Sequence, residues 1–317
     1  MNILILGGTG FVGSALVERL VRRHGGAGGR IVVPSRRPQR AAALRTLPTV
    51  EVVGADVHDE VQLLRLVAHC DVVINLVAIL HGSAAAFERV HVALPASLAR
   101  ACAGTGVRRV LHVSALGVAP DAPSRYLRSK AAGEALLRAA DLDLTVLRPS
   151  VIFGARDRFL NLFARLQAFA PLVPLAGATS TYQPVWVEDV AEALARSLED
   201  PATIGQTYEC AGPRCYTLAE LVRLAGRWSG HPRPVLPVPA VIGRLQAALM
   251  ALAPGEPLLS CDNLDSMKVP NVASGTLPGL QALGIAPAAL EAVAPAYLGP
   301  SRAEVRLEAW RALARRR

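Results

Sequence analysis

The segment Ser124–Glu134, SRYLRSKAAGE, sets Tyr126 and Lys130 four positions apart in a stretch of helical composition. That spacing puts both side chains on one helix face. Such a pair can protonate a substrate oxygen beside a nicotinamide ring, or hold a nucleotide with no chemistry at all. A second constellation stands at the N-terminus. In ILILGGTGFVG the glycines Gly7, Gly10 and Gly13 have the spacing GxxGxxG. Gly7 permits a tight turn, Gly10 lets the backbone approach a pyrophosphate, and Gly13 lets a helix pack close to a sheet. A helix beginning near Phe11 supplies free N–H groups and a partial positive charge. Residues Gly7, Thr9, Gly10, Phe11, Val12 and Gly13 are therefore the expected phosphate cradle.

The end of the second apolar run selects between cofactors. A carboxylate there would bind the adenosine ribose hydroxyls of NAD. The chain instead reads VVPSRRPQR, with Ser35, Arg36 and Arg37 at that point. Guanidinium groups suit a 2′-phosphate, so NADP(H) is the expected cofactor and NAD(H) the alternative. Asp56, in GADV, stands where a carboxylate can accept from the adenine amino group. Leu76, Val77 and Ala78, in NLVA, close a fourth strand beneath the cofactor.

These residues need a frame that brings loop ends together. The first half of the chain alternates short apolar runs (NILILG, RIVVPSR, VEVVGADV, DVVINLVA, RRVLHVSA) with longer helical patterns. Continuous Val/Ile/Leu strands separated by helices predict a parallel sheet covered on both faces. Right-handed crossovers then give an α/β fold with a doubly wound, Rossmann-like sheet. LTVLRPSVIFG is a further strand near 144–153. Beyond it prolines become frequent and the pattern loosens. The expected division is a nucleotide-binding domain over 1–154, to which 181–200 returns, and a smaller lid over 155–317. Within the lid, Thr217 and Glu220 open a helix as a capping box. Residues 25–29, GGAGG, read as a flexible loop.

Composition excludes several classes. The chain is 52% hydrophobic and 19% charged, which suits a compact fold rather than a disordered one. No apolar run reaches the roughly 18 residues of a membrane span. The start MNILILGG has no signal-peptide character, which places the protein in the cytoplasm. Cys70, Cys102, Cys210, Cys215 and Cys261 form no CxxC pair and the seven histidines no HxH or HExxH, so no metal site is expected. The formal charge of +9 favours phosphate ligands, anionic membranes or acidic partners. Aromatic residues are few and are not interleaved with basic ones, which argues against nucleic acid. The C-terminal SRAEVRLEAWRALARRR reads as a basic helix that solubilises the chain, lies on an anionic membrane or packs against an acidic partner. Arg156, Asp157 and Arg158 either pair among themselves or grip an anion. Glu188 and Asp189 read as capping and dipole-stabilising acids.

Taken together, the glycine motif, the Asp56-Val57 step and Tyr-x-x-x-Lys at 126–130 resemble the extended or atypical short-chain dehydrogenase/reductase superfamily. SRYLRSKAAGE, LRPSVIFGARDRFLNLFA, YQPVWVEDVA, YECAGPRCYTLAEL and GRLQAALMALAPGEPLL resemble one branch of it, over nearly the whole chain. That branch comprises bacterial relatives of the nucleotide-binding accessory subunit of respiratory complex I, alpha subcomplex subunit nine. The resemblance implies that Lys130 holds the nicotinamide ribose, that Tyr126 is the acid or base, and that Ser114 is the assisting hydroxyl. It also implies that Asp56, Val57 and Pro149 line the cofactor. Active members carry two or three Ser/Thr residues after the fifth strand, whereas LHVSALGV offers Ser114 followed by Ala115 and Leu116. The substrate half of the site looks eroded while the nucleotide half is kept. Three readings follow: an NADPH-holding protein with a structural or assembly role at the respiratory membrane or in quinone metabolism; an active NADPH-dependent oxidoreductase, epimerase or dehydratase of a nucleotide-sugar or quinone-like substrate; or a redox-state sensor that exchanges its nucleotide and binds a protein partner through its lid. The first implies a partner in a respiratory complex and a peripheral position on the inner membrane face, reached through the C-terminal helix.

Overall fold

The computed structural model describes residues 1–24, 29–250 and 259–299. Most of the GGAGG loop and all of the basic segment 301–317 lie outside the described residues. Seven parallel strands form the central sheet: β1 (Ile3–Leu6), β2 (Ile31–Ser35), β3 (Val50–Gly54), β4 (Val72–Asn75), β5 (Arg109–Val113), β6 (Asp143–Pro149) and β7 (Thr207–Cys210). Their order is β3-β2-β1-β4-β5-β6-β7. The chain reverses its direction of sheet growth between β1 and β4, so a crevice opens at their carboxyl ends, where a doubly wound sheet binds its ligand.

Helices cover both faces. On one side α1 (Phe11–His24) packs against a later helix, Val187–Glu199, through Leu16, Leu20, Val190 and Leu194, all fully buried. Arg19 from α1 ties the two together by pairing with Glu188 at 2.8 Å and Glu192 at 3.2 Å. Glu188 thus serves a cross-helix ion pair rather than a cap. Asp189 is buried and accepts from the Ala288 N–H at 2.8 Å. On the other side lie α2 (Glu60–Val67), α3 (Leu94–Thr105) and α4 (Arg125–Ala139), over a core of Leu63, Leu98, Val110 and Leu137. The 187–199 helix returns to the sheet domain, and β7 does so again next to β6. That second return lies beyond the 181–200 stretch expected from sequence, because a four-residue strand inside an irregular region carries little periodic signal.

The remaining chain forms the lid. Besides the returning helix, now α6 (Val187–Glu199), which belongs to the sheet domain, this part of the chain supplies α5 (Leu160–Phe169), α7 (Leu218–Trp228) and α8 (Ala240–Met250). Thr217 and Glu220 form the expected capping box at the start of α7. A two-stranded parallel pair, Val173–Ala176 with Val235–Val238, joins the lid elements. The strand expected over 144–153 is split into β6 and a short second piece, Ile152–Phe153, which pairs with Val185–Trp186.

Candidate functional site

The glycine turn lies in the crevice. Gly7 has φ +82°, a conformation that disfavours side chains, and a Cβ there would stand 3.2 Å from the backbone of Leu76 and Val77. A Cβ on Gly13 would stand 2.4 Å from the Gly7 carbonyl, so only glycine lets α1 close onto the turn. Thr9 and Gly10 are exposed, and Phe11 and Val12 are half-buried. The N–H groups in the first turn of α1 have no partner within the helix. Leu76 and Val77 are anchored across the crevice: the Leu76 N–H donates to Leu6, and the Val77 N–H to the buried Asn75 side chain. Ala78 is exposed beside them. The cradle thus combines open backbone donors, room made by missing side chains and a walled slot. It fits a dinucleotide pyrophosphate.

Basic groups gather at the far end of the slot. Arg36 and Arg37 are exposed after β2, and the Arg37 N–H donates to Ser35 Oγ at 3.2 Å. Asp56 follows β3, its carboxylate accepting from the His58 N–H at 3.0 Å, with Arg89 3.7 Å away. Val57 is half-buried next to it. Burial, with Arg89 and then Arg36 nearby, pulls the His58 imidazole below its usual range against the opposing pull of Asp56. Arg36 and Arg89 thus both act on His58 at the ends of β2 and β3.

At the other end, α4 presents Tyr126 and Lys130 on one face. Ser124 caps the helix by accepting from the Leu127 N–H. The Lys130 ammonium is buried and donates to the Val113 carbonyl at 2.6 Å. Burial pushes it down to about 8, with Glu134 pulling the other way. Burial pushes the Tyr126 phenol up to about 12. Ser114 is buried below the helix. Its hydroxyl lies near the Glu134 carboxylate and helps to keep it charged, but makes no bond of good geometry. Burial works against that carboxylate; Arg148 at 2.7 Å and Arg138 at 2.9 Å outweigh it and hold it low. Ala115 and Leu116 follow, both buried. Pro149 is buried at the end of β6, and its carbonyl accepts from the Leu116 N–H.

The lid reaches the site from two sides. Arg156 extends to the first turn of α1, donating to Ser14 Oγ at 2.7 Å. Asp157 is buried and holds the loop by accepting from the N–H groups of Gly154, Phe159 and Asn161 and from the Tyr297 hydroxyl. Arg156 thus reaches toward the cradle, while Asp157 anchors the loop. On the second side, Asp262 accepts from the N–H groups of Arg125 at 2.7 Å and Tyr126 at 3.1 Å. A Cβ on Gly117 would meet Val269 at 3.0 Å. The 262–269 stretch is therefore clamped over the start of α4 and the loop after β5.

Comparison with known proteins agrees with this fold. Residues 3–211 match the model of the NAD dependent epimerase/dehydratase family. The chain belongs to that family. It is 33% identical to mouse mitochondrial NADH dehydrogenase [ubiquinone] 1 alpha subcomplex subunit 9 over 294 residues, covering 90% of this chain and 77% of that one. It is 32% identical to the ceramide reductase of Caulobacter vibrioides over 244 residues, covering 76% and 75%. A nucleoside-diphosphate-sugar epimerase from Staphylococcus aureus superposes with a TM-score of 0.73 at 17% identity, over 92% of this chain and 98% of that one. A dTDP-glucose 4,6-dehydratase from Streptomyces venezuelae, solved with NAD bound, has the same fold, with a TM-score of 0.67 at 22% identity over 75% and 85%.

Within this family member the glycine turn, the β2 and β3 ends and the slot after β4 all lie at the carboxyl ends of the sheet strands, and Lys130 reaches the end of β5 through the Val113 carbonyl. Three features, made by four residues, had no signal in the sequence. His91 is buried in a π-helical stretch, Glu88–Ala93, that leads into α3. Its Nε2 accepts from the Ile79 N–H at 3.1 Å, Nδ1 faces Ser129 Oγ at 2.9 Å, and its ring packs edge-on against Tyr126 at 5.5 Å. Asn75 and His112, register partners on β4 and β5, bond at 3.2 Å under the slot. Asp262 is the third; a lone acid in a loop gives no periodic cue. Among the described residues no group of His, Cys, Asp or Glu could hold a metal ion, and no helix is long and apolar enough to cross a membrane.

Proposed function

We propose that the protein holds NADP(H) in the crevice as a structural element, in an assembly role at a respiratory membrane or in quinone metabolism. In this reading Gly7, Thr9, Gly10, Phe11, Val12 and Gly13 take the pyrophosphate, and Ser35, Arg36 and Arg37 take the 2′-phosphate. Asp56 and Val57 meet the adenine. Leu76, Val77, Ala78 and Pro149 line the slot, and Lys130 holds the nicotinamide ribose. The observation that carries the structural role is the state of the substrate side. Ser114 is buried below α4 and its hydroxyl makes no hydrogen bond, Ala115 and Leu116 offer no hydroxyl, and the Asp262 stretch is clamped over the start of α4. The respiratory setting rests on the likeness to the mouse complex I subunit.

One observation favours the second reading, an active NADPH-dependent oxidoreductase or epimerase. Tyr126 and Lys130 share one face of α4, and the Caulobacter vibrioides relative is a reductase. Its chemistry would be proton transfer at a substrate carbonyl by Tyr126, beside hydride transfer at the nicotinamide.

The test is to denature the purified protein, identify the released nucleotide and measure its stoichiometry, before and after dialysis. Near-equimolar NADPH that survives dialysis supports the structural role. Ready exchange with added NADP, together with a turnover that collapses in Tyr126→Phe, would overturn it in favour of the enzyme.

A further inference from the structure

One lid helix is built inside out. α8 packs inward through its small residues: a Cβ on Gly243 would stand 2.4 Å from Ala176 Cβ and 3.7 Å from Leu264, and Ala247 is buried one turn on. Its large apolar side chains point the other way. Val241 is 80% exposed, Leu245 62% and Leu249 61%, at i, i+4 and i+8, with Ile242 at 52% beside them. Leu236, in the Val235–Val238 strand that pairs with Val173–Ala176, is exposed as well. A soluble helix normally shows the reverse arrangement, and exposed apolar stripes of this kind mark interaction surfaces. Phe169, 91% exposed at the end of α5, and Leu172 add to the apolar character of the same lid.

The charges around these residues identify the occupant. Residues 160–180 and 229–250, which supply all of these side chains, contain Arg165, Arg233, Arg244 and His231, and neither Asp nor Glu. Arg165 lies one turn before Phe169 on α5, and both are exposed. Arg233 is exposed just before the Val235–Val238 strand. Arg244 pairs with Asp265 at 2.7 Å while its side chain stays half exposed. A convex aliphatic stripe bordered by cations, where the adjoining Asp265 is paired with both Arg244 and Lys268 at 2.7 Å, matches the interface of an anionic bilayer, where apolar side chains sink below the headgroups and arginines stay among the phosphates. A second copy fits less well, because its identical face would bring the same cations together.

We propose that the exposed stripe of α8 docks the protein on an anionic membrane surface. This deepens the membrane-side reading above and is independent of whether the nucleotide turns over. The same helix rests on Leu264, two residues from the Asp262 carboxylate that caps α4. Docking would thus occur next to the segment that covers Tyr126.

The test floats the full chain with vesicles of phosphatidylcholine alone and of phosphatidylcholine mixed with phosphatidylglycerol. Wild type should bind the anionic vesicles and release them as salt rises. The double variant L245Q/L249Q, at two solvent-facing positions, should lose at least about tenfold in binding, since several buried methylenes are forfeited. Its nucleotide content should equal that of wild type, which separates a failure of docking from a failure of the nucleotide reading. A chain lacking 301–317 should keep vesicle binding that still depends on Leu245 and Leu249. The proposal is overturned if wild type ignores anionic vesicles, or if the double variant binds them as wild type does. It is also overturned if binding appears only when 301–317 is removed, which would make that segment the occupant. Self-association abolished by L245Q/L249Q in a chain that does not bind vesicles would assign the face to a second copy.

Discussion

His91 Nδ1 donates to Ser129 Oγ at 2.9 Å, and the Ser129 hydroxyl in turn donates a hydrogen bond to the Tyr126 carbonyl at 2.9 Å. The direction of that relay is fixed from the other side, because Nε2 must be unprotonated to accept the Ile79 N–H. The ring that buttresses Tyr126 is therefore held neutral and in one tautomer. It links the loop after β4 to the helix that carries the tyrosine and lysine.

A pH dependence follows. Burial first, then Lys130, pushes the His91 imidazole down to about 3, against 6.5 for the free side chain. Between these values the unfolded chain takes up a proton that the folded one refuses, so stability is lost as pH falls below about 6.5. Between pH 7.5 and pH 5 the His91 share of that loss should be about 2 kcal/mol. Urea unfolding of wild type and His91→Gln at both pH values measures it. Glutamine keeps an acceptor for Ile79 but does not titrate, so its stability should fall less on acidification. Equal losses in the two proteins would show that His91 is not held neutral.

The contact between that π-helical stretch and α4 depends on a missing side chain. A Cβ at Gly133 would stand 1.8 Å from the His91 carbonyl oxygen and 3.1 Å from Pro95. Backbone cannot yield as a flexible side chain can, so Gly133→Ala should destabilise by at least about 3 kcal/mol. Gly54→Ala is the control. Its Cβ would meet only Pro38 at 3.8 Å, and the change should stay within about 1 kcal/mol. Thermal or chemical unfolding of both variants decides; a mild Gly133→Ala would mean that the helices are not packed so closely.

Arg36 and Arg37 supply the third prediction. If they grip a 2′-phosphate, R36A/R37A should weaken NADPH by about 10- to 100-fold, the worth of one or two charge-assisted bonds. NADH affinity should change no more than a few-fold. Titration calorimetry or fluorescence with both nucleotides reads the ratio. A parallel loss for both would leave the arginines as a general attraction for phosphate and remove the preference for NADP.

How much of this was legible in the chain differs from feature to feature. The Rossmann order, the turn at Gly7–Gly13 and the shared face of Tyr126 and Lys130 follow from local rules: strand runs, glycine spacing and helical periodicity act over a few residues. The capping box at Thr217 is equally local. What only the tertiary structure decided are contacts between residues far apart in the chain. Asp262 caps a helix 136 residues before it, and His91 meets Ser129 across 38. Ser114 is present as a hydroxyl in the sequence, yet whether it faces the cleft or Glu134 depends on how α4 lies on β5. The outward stripe of α8 is likewise invisible in the sequence, where small and large apolar residues alternate as they would on any buried helix. Composition along the chain sets which elements can form, but the direction each face points is set by which distant surface it buries.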